Sequence, residues 1–346
     1  MSVDPHLLGS LVCPRHRVPL GETGSSLCCP RGHQYPVVDG IPILIDEGPE
    51  TIWVAGESLK HGWNPDEYAA KDPYHLGTMV SKSGQVKFQD LLRRRGHRVD
   101  PVVSLLVSAT NGIAYKHLVG KLQDYPIPHL RLPAANGQFL LDVGCNWGRW
   151  CIAAARLGYR PIGIDPSLGA VLAGKRVADQ LGLDIRFVVG DARSLPFPDG
   201  SLDFAYSYSV LQHFSREDAV QAIQEIGRIL RVNGRSSIQM PTTFGLRCLY
   251  HQARRRFRKA RAFEVRYWSI PTLRRVFRGS VGPTTFSVDC FFGIGLQAAD
   301  LHFMPPSYRA VIRVSEMLRV SSRVVPWLFY LADSVYVEST KTAAGR

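Results

Sequence analysis

No uninterrupted run of about 18 apolar residues occurs in the chain. The first twenty residues also lack the apolar core of a signal peptide. The most apolar late stretch, VVPWLFYLADSVYV, is broken by Pro326 and Asp333, so a spanning helix is not expected. The seven cysteines are an odd number and do not form a disulfide framework; a reduced, cytoplasmic protein is expected. There is no Walker lysine motif, which disfavours a nucleoside triphosphate as ligand. What is present is a chain of 346 residues, 45% hydrophobic and 21% charged. That length suits about two domains and a sizeable core.

Near the N-terminus stands CPRHRVPLGETGSSLCCPRGHQYPVVDGIPILI. Cys13 and His16 form C-x2-H, and Cys29 and His33 form C-x3-H, with the turn-rich GETGSSL between the pairs. Two close pairs joined by a short loop are the spacing of a tetrahedral zinc site. Cys28 competes with Cys29 for the third ligand position. PVVDGIPILI then places two β-branched runs around Asp39-Gly40, a hairpin signal. This segment resembles the zinc-ribbon activator proteins of transfer-RNA methyltransferases, whose ribbon also ends in Tyr-Pro-Val/Ile-x-Asp-Gly-Ile-Pro. It is also similar to the N-terminal ribbon of a ribosomal-RNA guanine methyltransferase, where Cys-Pro-x-x-His closes the second knuckle. His16 departs from those ribbons, which usually carry Cys there. The resemblance covers roughly the first 45 residues and implies a bound zinc ion.

From Asp46 to Gln138 the signals are weaker. DLLRRRGHRVDPVVSLLVSATNGIAYKHLVGKL has helix-like apolar spacing broken by Pro101 and Gly112. Helices here either cover a pocket or form a supporting layer. From Phe139 the pattern becomes regular. FLLDVG, RPIGID, IRFVVGDA, LDFAYSYS and SSIQM read as strands. RWCIAAARLG, LGAVLAGKRVADQLG and REDAVQAIQEIGRILR read as helices, the last begun by Ser215 with Asp218 three later and ended by Asn233-Gly234. The alternation implies an α/β fold with a parallel sheet covered on both faces. Ligands in such sheets sit beyond the carboxyl ends of the strands.

The turn after the first core strand, LLDVGCNWGRW, therefore faces the ligand crevice. Gly144 and Gly148 let the backbone approach a ligand, and Asn146 tolerates left-handed dihedrals at modest cost. A dinucleotide fold wants G-x-G-x-x-G; the spacing here is G-x-N-x-G, preceded by Asp142. An acid there would repel a pyrophosphate and favour a cation. Asp165, at the end of the second strand, suits two ribose hydroxyls. Asp191, at the end of the third, suits an adenine amino group.

This constellation, from about Phe139 to Met240, resembles the class I S-adenosylmethionine-dependent methyltransferases: LLDVGCNWG for the glycine motif, GID for the ribose acid, GDARSLPFPDGSLDFAYSYSVLQHF for the adenine loop and fourth strand, EIGRILRVNG before the fifth. It looks most like the branch with quinone and other small-molecule methyltransferases. The resemblance implies a Rossmann-like sheet binding S-adenosylmethionine through Asp142, Gly144, Asn146, Gly148, Asp165, Asp191 and Ala192. The expected organisation is a zinc-ribbon-like β module at 1–47, a helical cover at 48–137, the cofactor-binding core at 138–241 and a substrate-binding part at 242–346.

His213, in VLQHF, sits where the family's acceptor often lies, and is either a base or a loop-holding histidine. His251 and Tyr267 are weaker candidates. SYSV replaces the Asn/Asp-Pro-Pro-aromatic motif of many amide methyltransferases, and no cysteine is expected in the loops after strands four and five for a covalent cytosine mechanism. Further strands are expected near TTFSVD and DSVYVES. CFFGIGLQ and Tyr267-Trp268 are candidates for an acceptor pocket or ordinary core. The segment Arg247 to Arg278 holds eleven Lys and Arg against Glu264 alone, in a chain of net charge +13. Such a field draws an anionic partner. The expected partner is a small anionic or amphipathic acceptor, O-methylated and presented at a membrane surface, which Arg254, Arg255 and Arg256 attract; RNA is the alternative.

Overall fold

The computed structural model describes residues 2–93, 98–293 and 295–343. Among the described residues, eleven strands form one sheet. They are β1 (Gly21–Thr23), β2 (Ser26–Cys28), β3 (Gln34–Val38), β4 (Ile41–Leu44), β5 (Phe139–Val143), β6 (Arg160–Asp165), β7 (Arg186–Gly190), β8 (Leu202–Ser207), β9 (Leu230–Pro241), β10 (Thr284–Cys290) and β11 (Ser334–Thr340). The order is β1-β2-β3-β4-β7-β6-β5-β8-β9-β11-β10. Strands β4 through β9 pair parallel where the order joins them, and β11 inserts antiparallel between β9 and β10.

The expected α/β alternation holds because successive residues of the core strands feed opposite layers. Leu140 packs with Trp150, Ala153 and Tyr206 on the side of the helix Arg149–Arg156. Its neighbour Leu141 packs with Ala222, Ile223 and Ile226 of the helix Arg216–Ile229. Ser215 caps that helix through the Asp218 amide at 2.9 Å. The helix stops at Ile229, short of the expected Asn233-Gly234, because Leu230 already pairs with Leu202 in the sheet. Asn233, at φ 65, instead lies in the irregular stretch where β9 shifts register against β8. Similarly, Pro101 does not break a helix. It opens Pro101–Thr110, whose first amides are held by the Asp100 carboxylate. Residues 94–97 of the basic run before it lie outside the described residues.

The N-terminal module is not separate from the core. Asp39 (φ 50) and Gly40 (φ 77) turn β3 into β4 as the hairpin signal predicts. β4 then joins β7 in parallel, Ile43 opposite Val189 and Leu44 opposite Gly190. Leu11, Leu27 and Tyr35 share one apolar cluster with Leu195, Phe197 and Ile223. The first four strands thus extend the core sheet beyond β7. None of the seven cysteines is joined in a disulfide. No helix among the described residues is long and apolar enough to cross a membrane.

Candidate functional site

The turn after β5 is built from left-handed residues: Gly144 and Gly148 at φ 76 and Asn146 at φ 49. A Cβ on Gly144 would fall 2.3 Å from a Val210 methyl, so only glycine fits. The Gly144 and Cys145 amides donate to the Ile164 carbonyl and tie the turn to the end of β6. Asn146 acts through backbone and side chain together. Its N–H donates to Asp165 Oδ2 at 3.0 Å, and its Oδ1 accepts from the Trp147 amide at 2.9 Å. A glycine would supply the first bond but not the second.

Two buried carboxylates face this turn, and neither has an ion-pair partner among the described residues. Asp142 is 1% exposed and accepts a hydrogen bond from the Cys151 thiol; burial pushes its carboxyl up to about 7. Asp165 accepts from the Asn146 and Ser167 amides, and burial pushes it up to about 6. Buried anions left unpaired are costly, so the pair suits a cationic ligand that also carries hydroxyls. Arg149, 7% exposed at the start of the next helix, leaves its Nε without a hydrogen-bond partner. That nitrogen is free for an anionic group such as an amino-acid carboxylate. Nothing in the sequence around Arg149 marks it for a role, because its burial is a tertiary effect.

Asp191 directly follows β7, close to its expected place, but its carboxylate is already engaged. Arg193 donates to both oxygens, at 2.7 to 3.1 Å, and reaches on to Asp218 and the Glu50 carbonyl. Ala192 beside it is half-buried against the core. The acid expected to receive an adenine amino group therefore also fixes the contact between the adenine loop, the helix Arg216–Ile229 and the segment after β4.

The crevice is roofed. The Trp147 indole donates to Thr110 Oγ1, and Tyr115, fully buried, donates to the Asp300 carboxylate. These come from the expected cover region and from a C-terminal turn, Ala298–Phe303. On the other side, the Trp150 ring lies 5.0 Å from Tyr206 and 4.7 Å from Tyr208. Tyr208 donates to the buried Asp289 carboxylate at 3.1 Å. Tyr206 and Tyr336 lie in the wall of a cavity of about 320 Å³, together with Arg131, Arg319 and Arg323. Trp268 and Phe291, candidates for an acceptor pocket, are core residues at 1% exposure.

His213 lies in the loop after β8. Its Nδ1 is 2.7 Å from the Phe263 carbonyl and its Nε2 3.2 Å from the Gln212 amide nitrogen. The carbonyl puts the proton on Nδ1, and burial holds the ring's pKa below its ordinary value. Both nitrogens are thus engaged, Nδ1 in joining the loop after β8 to the loop at Phe263 and Nε2 with the neighbouring Gln212. His251 accepts from Arg247 Nε, and Tyr267 lies under the Arg255 guanidinium. Arg255 turns inward to the Val265 carbonyl, so Arg254, Arg255 and Arg256 are not one exposed group. Cys248 does follow β9, contrary to expectation, but it is buried, its thiol donates to the Asp333 carbonyl, and its pKa is pushed upward by burial. It is no nucleophile.

At the N-terminus, Cys13, His16 and Cys29 each place a ligand atom within 4.8 Å of the others. His33 Nδ1 is 3.9 Å from Cys13 Sγ, and its ring stacks on His16 at 4.5 Å. Backbone amides of His16 and Arg31 donate to the sulfurs of Cys13 and Cys29. Cys28 Sγ is instead 3.9 Å from Ser26 Oγ.

Comparison with known proteins agrees with the core. The family described as "Methyltransferase domain" matches residues 140–234. The uncharacterized methyltransferase YcgJ of Bacillus subtilis is 34% identical over 97 residues, 28% of this chain and 38% of that protein. Ajmaline N-methyltransferase of Rauvolfia serpentina is 31% identical over 100 residues, 28% and 34% of the two chains. O-methyltransferase resE of Aspergillus sclerotiorum is 34% identical over 112 residues, 31% and 41%. The chain thus spans less than half the length of these relatives. The crystal structure of YcgJ is similar at 19% identity and a TM-score of 0.41, over 62% of this chain and 95% of that one. Matched sequence and left-handed glycine turn agree: residues 140–234 are a methyltransferase domain of the S-adenosylmethionine-dependent kind.

Proposed function

We propose that the protein methylates an oxygen of a small anionic or amphipathic acceptor, such as a glycan, lipid or secondary metabolite, with S-adenosylmethionine as donor. The observation that carries the reading is the unpaired, buried Asp142 and Asp165 around the left-handed turn. Asp165 would take the ribose hydroxyls, Asp142 would balance the cation, and Arg149 would hold the carboxylate of the methionine part. The cofactor, when bound, supplies a methyl group on a sulfonium that an in-line displacement removes. The protein's share is alignment, which supplies up to roughly 7–11 kcal/mol in such reactions, and exclusion of water by the Tyr115–Asp300 roof. The cavity beside Tyr206, with its three arginines, is of a size for a small ligand. An acceptor that arrives ionised needs no base; for a neutral hydroxyl, His213 Nε2 would serve once Gln212 yields.

Calorimetry tests the reading. The wild type is expected to bind S-adenosylmethionine, and Asp165→Ala to lose about 1.5–3 kcal/mol through two hydroxyls left without a charged acceptor. No binding to the wild type, or equal binding by the variant, refutes it. RNA is the rival acceptor, favoured by the charge of residues 247–278. Submicromolar RNA affinity at about physiological salt, with a log–log salt slope of several units, would replace the small acceptor.

We also propose one structural zinc ion, held by Cys13, His16, Cys29 and His33. Elemental analysis of protein purified without added metal should find one zinc per chain. Cys29→Ala should lose it and Cys28→Ala keep it; the reverse pattern would move the ligand by one residue.

A further inference from the structure

The helix Leu246–Arg254 is amphipathic with its faces reversed. Leu246, Leu249 and Tyr250, at spacings of three and four, are 46%, 37% and 59% exposed. Phe257, in the turn that follows, is 69% exposed, and Phe263 is 75% exposed. The face toward the protein is the polar one. The Cys248 amide donates to Asp333 Oδ1 at 2.8 Å, Gln252 Nε2 to the Thr243 carbonyl at 2.8 Å, and Arg247 to the Phe292 carbonyl at 3.4 Å. A helix on a globular protein ordinarily buries its apolar stripe. Here that stripe is anchored outward by polar bonds on its back, and Phe257 is held in a left-handed conformation at φ 54.

Cations surround the stripe. Arg254, Arg256 and Lys259 make no side-chain hydrogen bond or ion pair among the described residues. Glu264, the one acid of residues 247–278, is clamped by Arg258. Exposed leucine and phenylalanine rimmed by unpaired cations match the chemistry of one surface: an anionic lipid bilayer, whose acyl boundary accepts the apolar side chains and whose headgroups accept the arginines. A nucleic acid would stack on Tyr250, Phe257 and Phe263 in a basic groove, but Leu246 and Leu249 offer it no stacking face, whereas an acyl boundary takes all five. A second copy of this chain would bring the same positive field against itself.

We propose that this face, from Leu246 to Phe263, is a docking surface for anionic membranes. Docking does not depend on methyl transfer, so it stands or falls separately from the enzymatic reading.

Sedimentation of the full chain with vesicles tests it. Vesicles of phosphatidylcholine with about one third phosphatidylglycerol should bind the protein, and vesicles of phosphatidylcholine alone should bind it far more weakly. Each of Arg254→Ala and Arg256→Ala should weaken the partition roughly fivefold, the effect of one cation near an anionic surface. Leu249→Glu with Phe257→Glu should weaken it at least about tenfold, with the melting temperature unchanged because both sites are exposed. No binding to the anionic vesicles at about 0.1 M salt overturns the proposal. So does undiminished binding by the Leu249→Glu/Phe257→Glu variant, which would mean adsorption by charge alone. Tight binding of polyuridine or polyglutamate that exceeds vesicle binding and needs the same arginines would reassign the surface to RNA or to an acidic protein.

Discussion

Replacing Asn146 separates its two duties. Asn146→Gly keeps the left-handed backbone and the amide bond to Asp165 but removes the bond to the Trp147 amide. It should cost no more than about 1 kcal/mol of stability. Asn146→Val puts a β-branched residue at positive φ and should cost more. Thermal unfolding of the two variants checks the ranking. The acids beside it make stability depend on pH. The folded values of Asp142 and Asp165, about 7 and about 6, lie above the ordinary 3.8. Their contribution is therefore fully present below about pH 4 and is lost as pH rises through about 6 to 7. Without cofactor, the melting temperature of the wild type should fall across that window, and Asp142→Asn should flatten the fall. A cationic cofactor favours the ionised acids, so its binding near pH 6.5 should release protons, measurable by calorimetry in buffers of different ionisation enthalpy. His213 has a sharper test. If it only joins two loops, His213→Asn should retain most of kcat; if it is a base, kcat should fall by about 10²–10⁴-fold.

At the scale of elements, packing between helices sets the tightest tolerance. A Cβ on Gly227, in Arg216–Ile229, would fall 2.0 Å from the Ser280 carbonyl at the end of the helix Ile270–Ser280. Gly227→Ala should therefore destabilise the protein by about 1–3 kcal/mol, with cofactor affinity of the folded fraction unchanged. Urea unfolding and calorimetry on the same preparation separate the two effects. The elements themselves were largely legible. Short buried apolar runs and helical apolar spacing placed β5 to β8 and their helices, and turn chemistry placed the Asp39-Gly40 hairpin. Helix ends were less so, because tertiary pairing decided them: Leu230 left its helix for Leu202 before any local stop signal. The left-handed turn and its two buried acids could be read from residue types and spacing. Arg149's unpaired Nε and Arg193's hold on Asp191 could not, since both depend on what burial removes or brings near. The outward stripe of Leu246–Arg254 has an ordinary amphipathic pattern, and a pattern does not say which face meets the protein.

At the scale of the whole molecule, the N-terminal strands close an edge that the core would otherwise expose. Removing residues 2–44 would leave β7 with a row of unpaired backbone groups, and such edges aggregate. The truncated chain is expected to lose most of its soluble yield, and light scattering of the refolded protein would show it; a soluble, cofactor-binding core would mean that β4 is dispensable. The same pairing has a consequence during synthesis. Ile43 leaves the ribosome long before its partner Val189 exists. At ordinary elongation rates of about 5–20 residues per second, the interval is roughly 7–30 s, far longer than a hairpin needs to form. The β3–β4 hairpin must therefore spend that interval as a nascent structure with one flank unclaimed, and a ribosome that stalls before residue 186 leaves that flank open to any chaperone or neighbouring chain that reaches it first.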